Sequence, residues 1–94
     1  MIFDWDDNKA ESNKKKHGVS FAEAATAFSD LNAIKFLDAK NSEKEERWIL
    51  VGLSARSHVL LVVFIEREEK LIRIVSARKA VKEEINQYFS KVKS

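Results

Sequence analysis

The chain has 94 residues, no cysteine and a formal net charge of +2. This length supports one hydrophobic core, so residues 1–94 are expected to form a single domain. A composition of 45% hydrophobic and 34% charged residues excludes a disordered chain, and the lack of cysteine excludes disulfides and thiolate metal sites.

The first residues, "MIFDWDD", have neither the basic segment nor the apolar run of a signal peptide, so a cytoplasmic protein is expected. The stretch "IFDWD" (2–6) alternates like a short edge strand. Asp6 or Asp7 can then cap a helix that runs to about His17. Gly18 is expected at its end in the left-handed conformation.

A second helix is predicted directly afterwards. Ser20 and Glu23 have the spacing of a capping box, in which each side chain bonds the backbone N–H of the other residue. One apolar stripe follows at helical spacing, formed by Phe21, Ala24, Ala25 and Phe28.

From residue 32 the apolar period becomes two, which predicts four strands: "AIKFLD" (33–38), "RWILVGL" (47–53), "VLLVVFI" (59–65) and "LIRIVS" (71–76). Short charged turns connect them, so an antiparallel meander is expected, with 59–65 as its buried central strand. The apolar run 59–65 is also the longest in the chain, far below the ~20 residues of a membrane helix, so no contact with a membrane is expected.

A closing helix is predicted from an apolar stripe that should face the sheet, formed by Val81, Ile85, Tyr88, Phe89 and Val92. The expected fold is therefore α+β. Two N-terminal helices precede a four-stranded antiparallel sheet, which the first strand could extend, and a C-terminal helix follows.

Two arginines are expected on the sheet face away from the first two helices. Strand alternation places Arg73 on this second face if Ile72 and Ile74 pack under the helices. It likewise places Arg47 there, next to aliphatic Ile49. A face that mixes cations and aliphatic side chains suits a charged ligand or an amphipathic partner.

Residues 70–82 contain five cations and no acid: Lys70, Arg73, Arg78, Lys79 and Lys82. Such a run predicts a basic patch that can meet a polyanion although the whole chain is nearly neutral. The segment "SARK" (76–79) stands where the last strand should join the final helix. Arg78 is therefore expected in the first turn of that helix.

Several short motifs resemble, in the right order, those of the BrnT family. The N-terminal ones are F-x-W-D with N-K, and K-H-G-V-S-F with A-x-x-F, carried here by Phe3, Trp5, Asp6, Asn8, Lys9, Lys16 to Phe21, Ala25 and Phe28. The C-terminal ones are E-x-R, I-R-I-V-S-A-R-K-A and E-x-x-x-Y, carried by Glu45, Arg47, Ile72 to Ala80, Glu84 and Tyr88. The resemblance covers nearly the whole chain.

BrnT proteins are toxins of bacterial type II toxin–antitoxin systems. The resemblance implies a RelE-like ribonuclease fold and a toxin that cleaves mRNA and so inhibits translation. It also implies a DNA-binding antitoxin of the BrnA type as partner, in a heterotetramer, with a homodimer as an alternative assembly. No cofactor and no metal ion are expected for this reaction.

Metal-independent RNA cleavage needs a base for the 2′-OH, cations for the charge that develops at phosphorus, and an acid for the departing 5′ oxygen. Arginine suits the second role because its planar guanidinium binds two phosphate oxygens, and the candidates are Arg47, Arg73 and Arg78. For Arg78 we favour phosphate contact, since a cation in a first helical turn opposes the helix dipole and since the resemblance to the BrnT family adds much of the weight. Arg73 could instead pair with an acid across the sheet, and Arg47 with Glu45 or Glu46.

The sequence leaves proton transfer open. Glu84 and Tyr88 lie four residues apart on the final helix and could serve as base and acid, but Tyr88 could equally belong to the core and Glu84 to a surface pair. The position of His17 is explained by favourable charge interaction at a helix end, and His58 is expected in a solvated turn. Further RNA contacts are expected from four lysines, Lys16, Lys70, Lys79 and Lys82.

Two functions of different class remain. The first is an mRNA endoribonuclease that acts as a toxin. The second is a non-catalytic module of the same fold, whose basic patch binds nucleic acid or an acidic protein. The chain lacks a glycine-rich phosphate loop, an H-E-x-x-H motif and a nucleophile elbow, which excludes ATPase, metalloprotease and serine hydrolase activities.

Overall fold

The computed structural model describes residues 1–68 and 70–92. In these residues three α-helices and five strands follow one another as β1 (Ile2–Asp4), α1 (Asp7–His17), α2 (Phe21–Thr26), β2 (Ile34–Leu37), β3 (Trp48–Leu53), β4 (Val59–Arg67), β5 (Leu71–Lys79) and α3 (Lys82–Val92). Short 3-10 turns, Ala27–Ser29 and Ala39–Asn41, follow α2 and β2. None of the helices in this part of the chain has the length and hydrophobicity of a membrane span.

Local capping sets the ends of α1, as predicted. The Asp6 carboxylate accepts the backbone N–H groups of Asn8 and Lys9 at 2.8 and 3.1 Å. These donors have no partner within the helix itself. At the other end, Gly18 adopts a φ of 72° and closes the last turn, a conformation that costs glycine little.

Only half of the predicted capping box forms at α2. Ser20 Oγ accepts the Glu23 N–H at 3.0 Å, but the Glu23 carboxylate binds Ser54 and His58 instead of returning to Ser20. The helix itself ends at Thr26. The predicted stripe therefore reaches Phe28 through a 3-10 turn rather than through an α-helix.

The sheet has the order β1-β5-β4-β3-β2. The strands β2 to β5 form the predicted antiparallel meander. The first strand adds to the edge as anticipated, but it pairs parallel with β5, Ile2 opposite Leu71 and Asp4 opposite Arg73. The sheet is therefore mixed and not a pure meander.

Helices cover both faces of the sheet. Under α1 and α2 lies the larger core, which includes Phe21 of α2 with Leu60, Val62 and Phe64 of the central strand. On the other face a smaller core forms where Tyr88 of α3 packs with two sheet residues, Val51 and Leu61. The second face is thus partly covered, although it was expected to be open.

The apolar stripe of α3 faces the sheet only in part. Tyr88 is buried and Ile85 is half-buried, but Val81, Phe89 and Val92 remain 54%, 44% and 40% exposed. The prediction that the whole stripe packs on the sheet is therefore wrong. Among the described residues, no element covers these three apolar side chains.

The strand β5 is longer than predicted and contains a bulge. It continues to Lys79, so Arg78 lies on a strand and the expectation of a first helical turn is wrong. Val63 pairs with Ser76 while the next residue, Phe64, pairs with Ile74, which leaves one extra residue in β5.

The bulge decides where Arg78 points. Arg73 and Arg78 are five residues apart and would face opposite sides of a regular strand. With the extra residue, Arg73 pairs with Ile65 and Arg78 with Leu61, and these two partners are four residues apart on β4. Both arginines therefore lie on the face that carries α3.

Candidate functional site

A cavity of about 460 Å³ lies on the α3 side of the sheet, between the end of α1, the end of β2 and the start of α3. Its floor is a row across four strands, in which Phe36 pairs with Ile49, Ile49 with Val63, and Val63 with Ser76. Its polar lining consists of His17, Asp38, Asn41, Ser76, Arg78 and Glu84. The volume falls in the range of ligand sites, roughly 300–1,000 Å³.

Arg78 and Glu84 form the central ion pair of this cavity. Arg78 Nη1 donates to Glu84 Oε1 at 2.8 Å and Nη2 donates to Oε2 at 2.9 Å. Glu84 Oε1 also accepts the Val81 N–H at 2.8 Å, which satisfies an orphan donor at the start of α3. The pair thus links the end of β5 to the first turn of α3.

This pairing changes the proton affinity of both groups. The hydrogen bond with Glu84 raises the pKa of Arg78 above its usual value, although burial opposes this. The hydrogen bonds from Arg78 lower the pKa of Glu84, again against the effect of burial. A carboxylate of lowered pKa is a weak base, so the geometry suits Glu84 to holding Arg78 in place.

One edge of the Arg78 guanidinium remains free. A guanidinium has five N–H groups. Two go to Glu84, and Nη1 donates a further one to the Lys79 carbonyl at 3.2 Å. No acceptor among residues 1–68 and 70–92 binds Nε or the second N–H of Nη2. These two N–H groups form the side edge of the guanidinium, which can bind two oxygens of a phosphate.

His17 reaches the same cavity because α1 is fastened along β5. The Asn13 side chain donates from Nδ2 to the Ala77 carbonyl at 2.7 Å and accepts the Ala77 N–H at Oδ1 at 3.1 Å. It thereby takes the place of a neighbouring strand on the part of β5 that β1 does not pair. His17 follows one helical turn later and lines the same cavity as Arg78.

Arg47 lies outside this cavity but close to it. A neighbouring cavity of about 410 Å³ is lined by the loop residues Lys40, Asn41, Glu43, Lys44, Glu45 and Arg47, and it shares Asn41 with the first. Glu45 pairs with Arg67 at 3.6 Å, and no described carboxylate lies within ion-pair distance of Arg47. Since strand elements form the floor of the larger cavity, we take that one as the candidate site.

Arg73 is separated from the cavity and paired. Its Nη1 lies 3.2 Å from Asp4 Oδ2, across the parallel pair of β5 and β1. Five residues of strand separate it from Arg78, roughly 16 Å. Arg73 thus forms an ion pair at the sheet edge, which is one of the two alternatives drawn from the sequence.

Tyr88 also lies away from the cavity lining. Its hydroxyl donates to Asp30 Oδ2 at 2.5 Å, and its side chain is 3% exposed. Burial and this hydrogen bond raise the pKa of Tyr88 to about 12. The structure therefore does not bring the hydroxyl of Tyr88 and the carboxylate of Glu84 to one site.

The predicted basic patch is divided. Lys79 and Lys82 flank the end of β5 near Arg78, and Lys16 directly precedes His17. Lys70 stands in the turn before β5, at the opposite end of that strand, about 30 Å away from Lys79. The five-cation run is continuous in sequence only, because an extended strand separates its ends.

A second polar cluster joins α2 to the β3–β4 turn. Glu23 Oε2 accepts from Ser54 Oγ at 2.7 Å and lies 2.8 Å from His58 Nδ1. Burial raises the pKa of Glu23, but the hydrogen bonds from Ser54 and His58 outweigh it and hold the pKa below its ordinary value. The expected solvation of His58 is wrong, since this ring is half-buried against a carboxylate.

Within the described residues, no three His, Cys, Asp or Glu side chains gather as a metal site requires.

The family described as "ribonuclease toxin, BrnT, of type II toxin–antitoxin system" has a model that matches residues 5–84. The chain belongs to the BrnT family. Its structure is similar to the crystal structure of the Brucella abortus ribonuclease toxin BrnT, with a TM-score of 0.68 and 25% identity. The match covers 87% of this chain and 100% of that one. No curated protein matches the chain.

These findings confirm the BrnT resemblance drawn from the motifs. The BrnT match includes every residue that lines the cavity, from His17 to Glu84, and it ends before Tyr88. Of the residues that line the cavity, only Arg78 and Glu84 were predicted as site residues, and the polar or aromatic ones that sequence reasoning missed are His17, Phe36, Asp38, Asn41 and Ser76. Of these only His17 had been weighed as a proton carrier, and the Asn13 contact that positions it is not visible in sequence.

Proposed function

We propose that this BrnT-family chain is the toxin of a type II toxin–antitoxin system and cleaves mRNA as a metal-independent endoribonuclease. Residues 1–94 would form one RelE-like toxin domain that acts in the cytoplasm and inhibits translation. The observation that carries the proposal is the open guanidinium edge of Arg78 in a cavity on the sheet that His17 also lines.

In this proposal Arg78 binds the phosphate at the cleavage point. The 2′-oxygen attacks the adjacent phosphorus, the bond to the 5′ oxygen breaks, and a 2′,3′-cyclic phosphate results. Negative charge builds on the phosphate oxygens during this step, and a fixed guanidinium stabilises it without reorganisation. Glu84 acts as a positioning residue that fixes Arg78.

Proton transfer is assigned to His17. Histidine is the side chain that changes charge nearest neutral pH, so one imidazole can accept the 2′-OH proton or donate to the leaving oxygen. Ser76 lines the same cavity and can hydrogen-bond the phosphate. Tyr88 and Arg73 are assigned structural roles, because each is engaged by a carboxylate outside the cavity.

The flanking cations would hold the RNA backbone on both sides of the cleavage point. Three lysines are close in sequence to residues that line the cavity: Lys16, Lys79 and Lys82. Arg47 lines the neighbouring cavity, which shares Asn41 with this one. Lys70 is too remote to contact the same nucleotide. Phosphate contacts of this kind supply affinity that falls steeply with salt.

A DNA-binding antitoxin of the BrnA type would neutralise the toxin in a heterotetramer, with a toxin homodimer as the alternative assembly. Three exposed apolar residues in and just before α3 suit such a partner: Val81, Phe89 and Val92. A small neighbouring gene that encodes a DNA-binding protein would support this assignment.

Incubation of the purified chain with an end-labelled RNA in EDTA tests the proposal. The expected result is cleavage to products that end in a 2′,3′-cyclic phosphate, with growth arrest on expression in bacteria. An RNA with a single 2′-deoxy nucleotide at the cleavage point is the control and should stay intact there. RNA that is bound but never cut would favour the non-catalytic module.

A further inference from the structure

We propose that the cavity contains a subsite for a guanine base of the RNA, which stacks on Phe36 and is read by the carboxylate of Asp38. This inference rests on the proposed ribonuclease function and deepens it. It names the base that occupies the part of the cavity opposite Arg78.

Phe36 offers an exposed aromatic surface inside the cavity. It belongs to the edge strand β2, lines the cavity, and is 44% exposed. The described aromatic pairs connect other rings, and Phe36 has no ring partner among them. Single-stranded RNA is commonly held by stacking its bases on such rings.

Asp38 lines the same cavity two residues after Phe36, and hydrogen bonds in its turn hold its backbone in place. Its N–H donates to the Arg47 carbonyl at 2.8 Å, and its own carbonyl accepts from Ser42 Oγ at 2.6 Å. Its carboxylate receives the Asn41 amide at 3.3 and 3.1 Å. Since each carboxylate oxygen can accept about two hydrogen bonds, acceptor positions remain for a ligand.

The chemistry of the carboxylate selects the base. An ionised carboxylate only accepts hydrogen bonds, so its two oxygens require two neighbouring N–H donors. On its Watson–Crick edge guanine presents two adjacent donors, N1–H and the 2-amino group. Adenine and cytosine each place an acceptor beside their amino group, and uracil flanks its N–H with two carbonyls. Guanine is therefore the base that Asp38 fits.

The spacing allows base and phosphate to bind together. Phe36 and Ser76 stand at the two ends of the row across β2 to β5, about three strand spacings or roughly 14 Å between backbones. Phe36 and Arg78 line the same cavity from these two strands. A span of this size is on the scale of one nucleotide, so a base on Phe36 can place its phosphate at the open edge of Arg78.

Nucleotide titrations of the full chain, followed by NMR, test the subsite without any cleavage step. The probes are 3′-GMP, 3′-AMP and 3′-IMP, the last of which lacks the 2-amino group. We expect 3′-GMP to bind about tenfold more tightly than 3′-AMP, with 3′-IMP between them, and to shift the signals of Phe36.

Two variants and a control complete the design. Asp38→Asn should abolish the preference for 3′-GMP, and Phe36→Leu should weaken binding of all three nucleotides by about tenfold. Leu37→Ala changes the next residue of the same strand, which is 40% exposed and does not line the cavity, and should leave binding unchanged. Thermal unfolding checks that each variant is folded.

Equal binding of 3′-GMP and 3′-AMP, or a guanine preference that survives Asp38→Asn, would overturn the subsite. These outcomes are separate from those of the ribonuclease proposal. If RNA is cut but no guanine preference exists, the subsite fails and the ribonuclease stands. If 3′-GMP is preferred but no RNA is cut, the subsite stands and the ribonuclease fails.

Discussion

The carboxylate of Glu84 holds one edge of the Arg78 guanidinium, with N–O distances of 2.8 and 2.9 Å, and leaves the other edge free. The pair joins the end of β5 to the first turn of α3. An arginine that is oriented before its ligand arrives loses less conformational freedom on binding. The same carboxylate therefore supports an anion site rather than blocking it.

Replacement of Glu84 by glutamine should test this orienting role. Glu84→Gln keeps the shape but loses the charge and one acceptor, so Arg78 should become mobile. We expect RNA cleavage to slow by about tenfold through kcat, with KM nearly unchanged, and stability to fall by less than about 1 kcal/mol because the pair is partly exposed. Faster cleavage or tighter RNA binding in this variant would show that Glu84 competes with the phosphate.

His17 should be needed for chemistry but not for RNA binding. In His17→Gln the side chain can no longer exchange a proton, and cleavage should fall by about a hundredfold or more. His58→Gln is the matched control, since His58 contacts Glu23 outside the cavity. Cleavage rates and RNA affinity are measured for both variants. A His17→Gln protein that cuts RNA at the normal rate would contradict a role of His17 in proton transfer.

Tyr88 should contribute to stability and not to catalysis. Tyr88→Phe removes the hydrogen bond to Asp30 and should lower the free energy of unfolding by about 2 kcal/mol while RNA cleavage persists. Because the chain has a single tyrosine, an ultraviolet titration of the phenol reports on this group alone. It should ionise with a pKa of about 12 in the folded protein. Loss of cleavage in a stably folded Tyr88→Phe protein would restore a catalytic role.

Acid should weaken the fold through its hydrogen-bonded carboxylates. Burial raises the pKa of Glu23 and of Asp30, but hydrogen bonds to each carboxylate outweigh burial and hold the pKa below its ordinary value. The hydrogen bonds from Arg78 likewise lower the pKa of Glu84. A carboxyl group with a lowered folded pKa stabilises the protein above its unfolded pKa and loses this effect as the pH falls through the folded value.

The free energy of unfolding should therefore decrease as the pH drops below about 5. Urea denaturation at a series of pH values measures this slope. Glu23→Gln should make the slope shallower, whereas Glu83→Gln, at an exposed position of α3, should leave it unchanged. Equal slopes in the parent and in Glu23→Gln would exclude Glu23 as a source of the acid sensitivity.

The elements that depend on local pattern were predictable from the sequence. The alternation of apolar residues predicted the four meander strands. Asp6 and Gly18, which cap the two ends of α1, predicted that helix. The extension and bulge of β5 were not predictable, because the alternation stops near Ser76 while the chain stays extended through pairing with β4 and with Asn13. The parallel pairing of β1 likewise depends on contacts between opposite ends of the chain.

The sequence predicted the kind of chemistry at the candidate site, but it did not predict which residues the fold brings together there. Arg78 was named from residue type and family resemblance, and the structure places it in the cavity. Arg73 was named from residue type and strand alternation, but Asp4, 69 residues away in sequence, pairs with it at the sheet edge. His17 was discounted because its local position already had an explanation, and the contact between Asn13 and Ala77, which sequence does not show, fastens its helix to β5 so that His17 lines the cavity.

The most direct test of the central claim compares RNA cleavage by Arg78→Ala and Arg73→Ala. Both arginines lie on β5 and face the α3 side, and each pairs with a carboxylate of its own. Of the two, Arg78 alone lines the cavity. The account predicts that Arg78→Ala loses cleavage by at least about a hundredfold while Arg73→Ala, equally folded, keeps it. Undiminished cleavage by Arg78→Ala, or equal loss in both variants, would contradict a catalytic centre in this cavity.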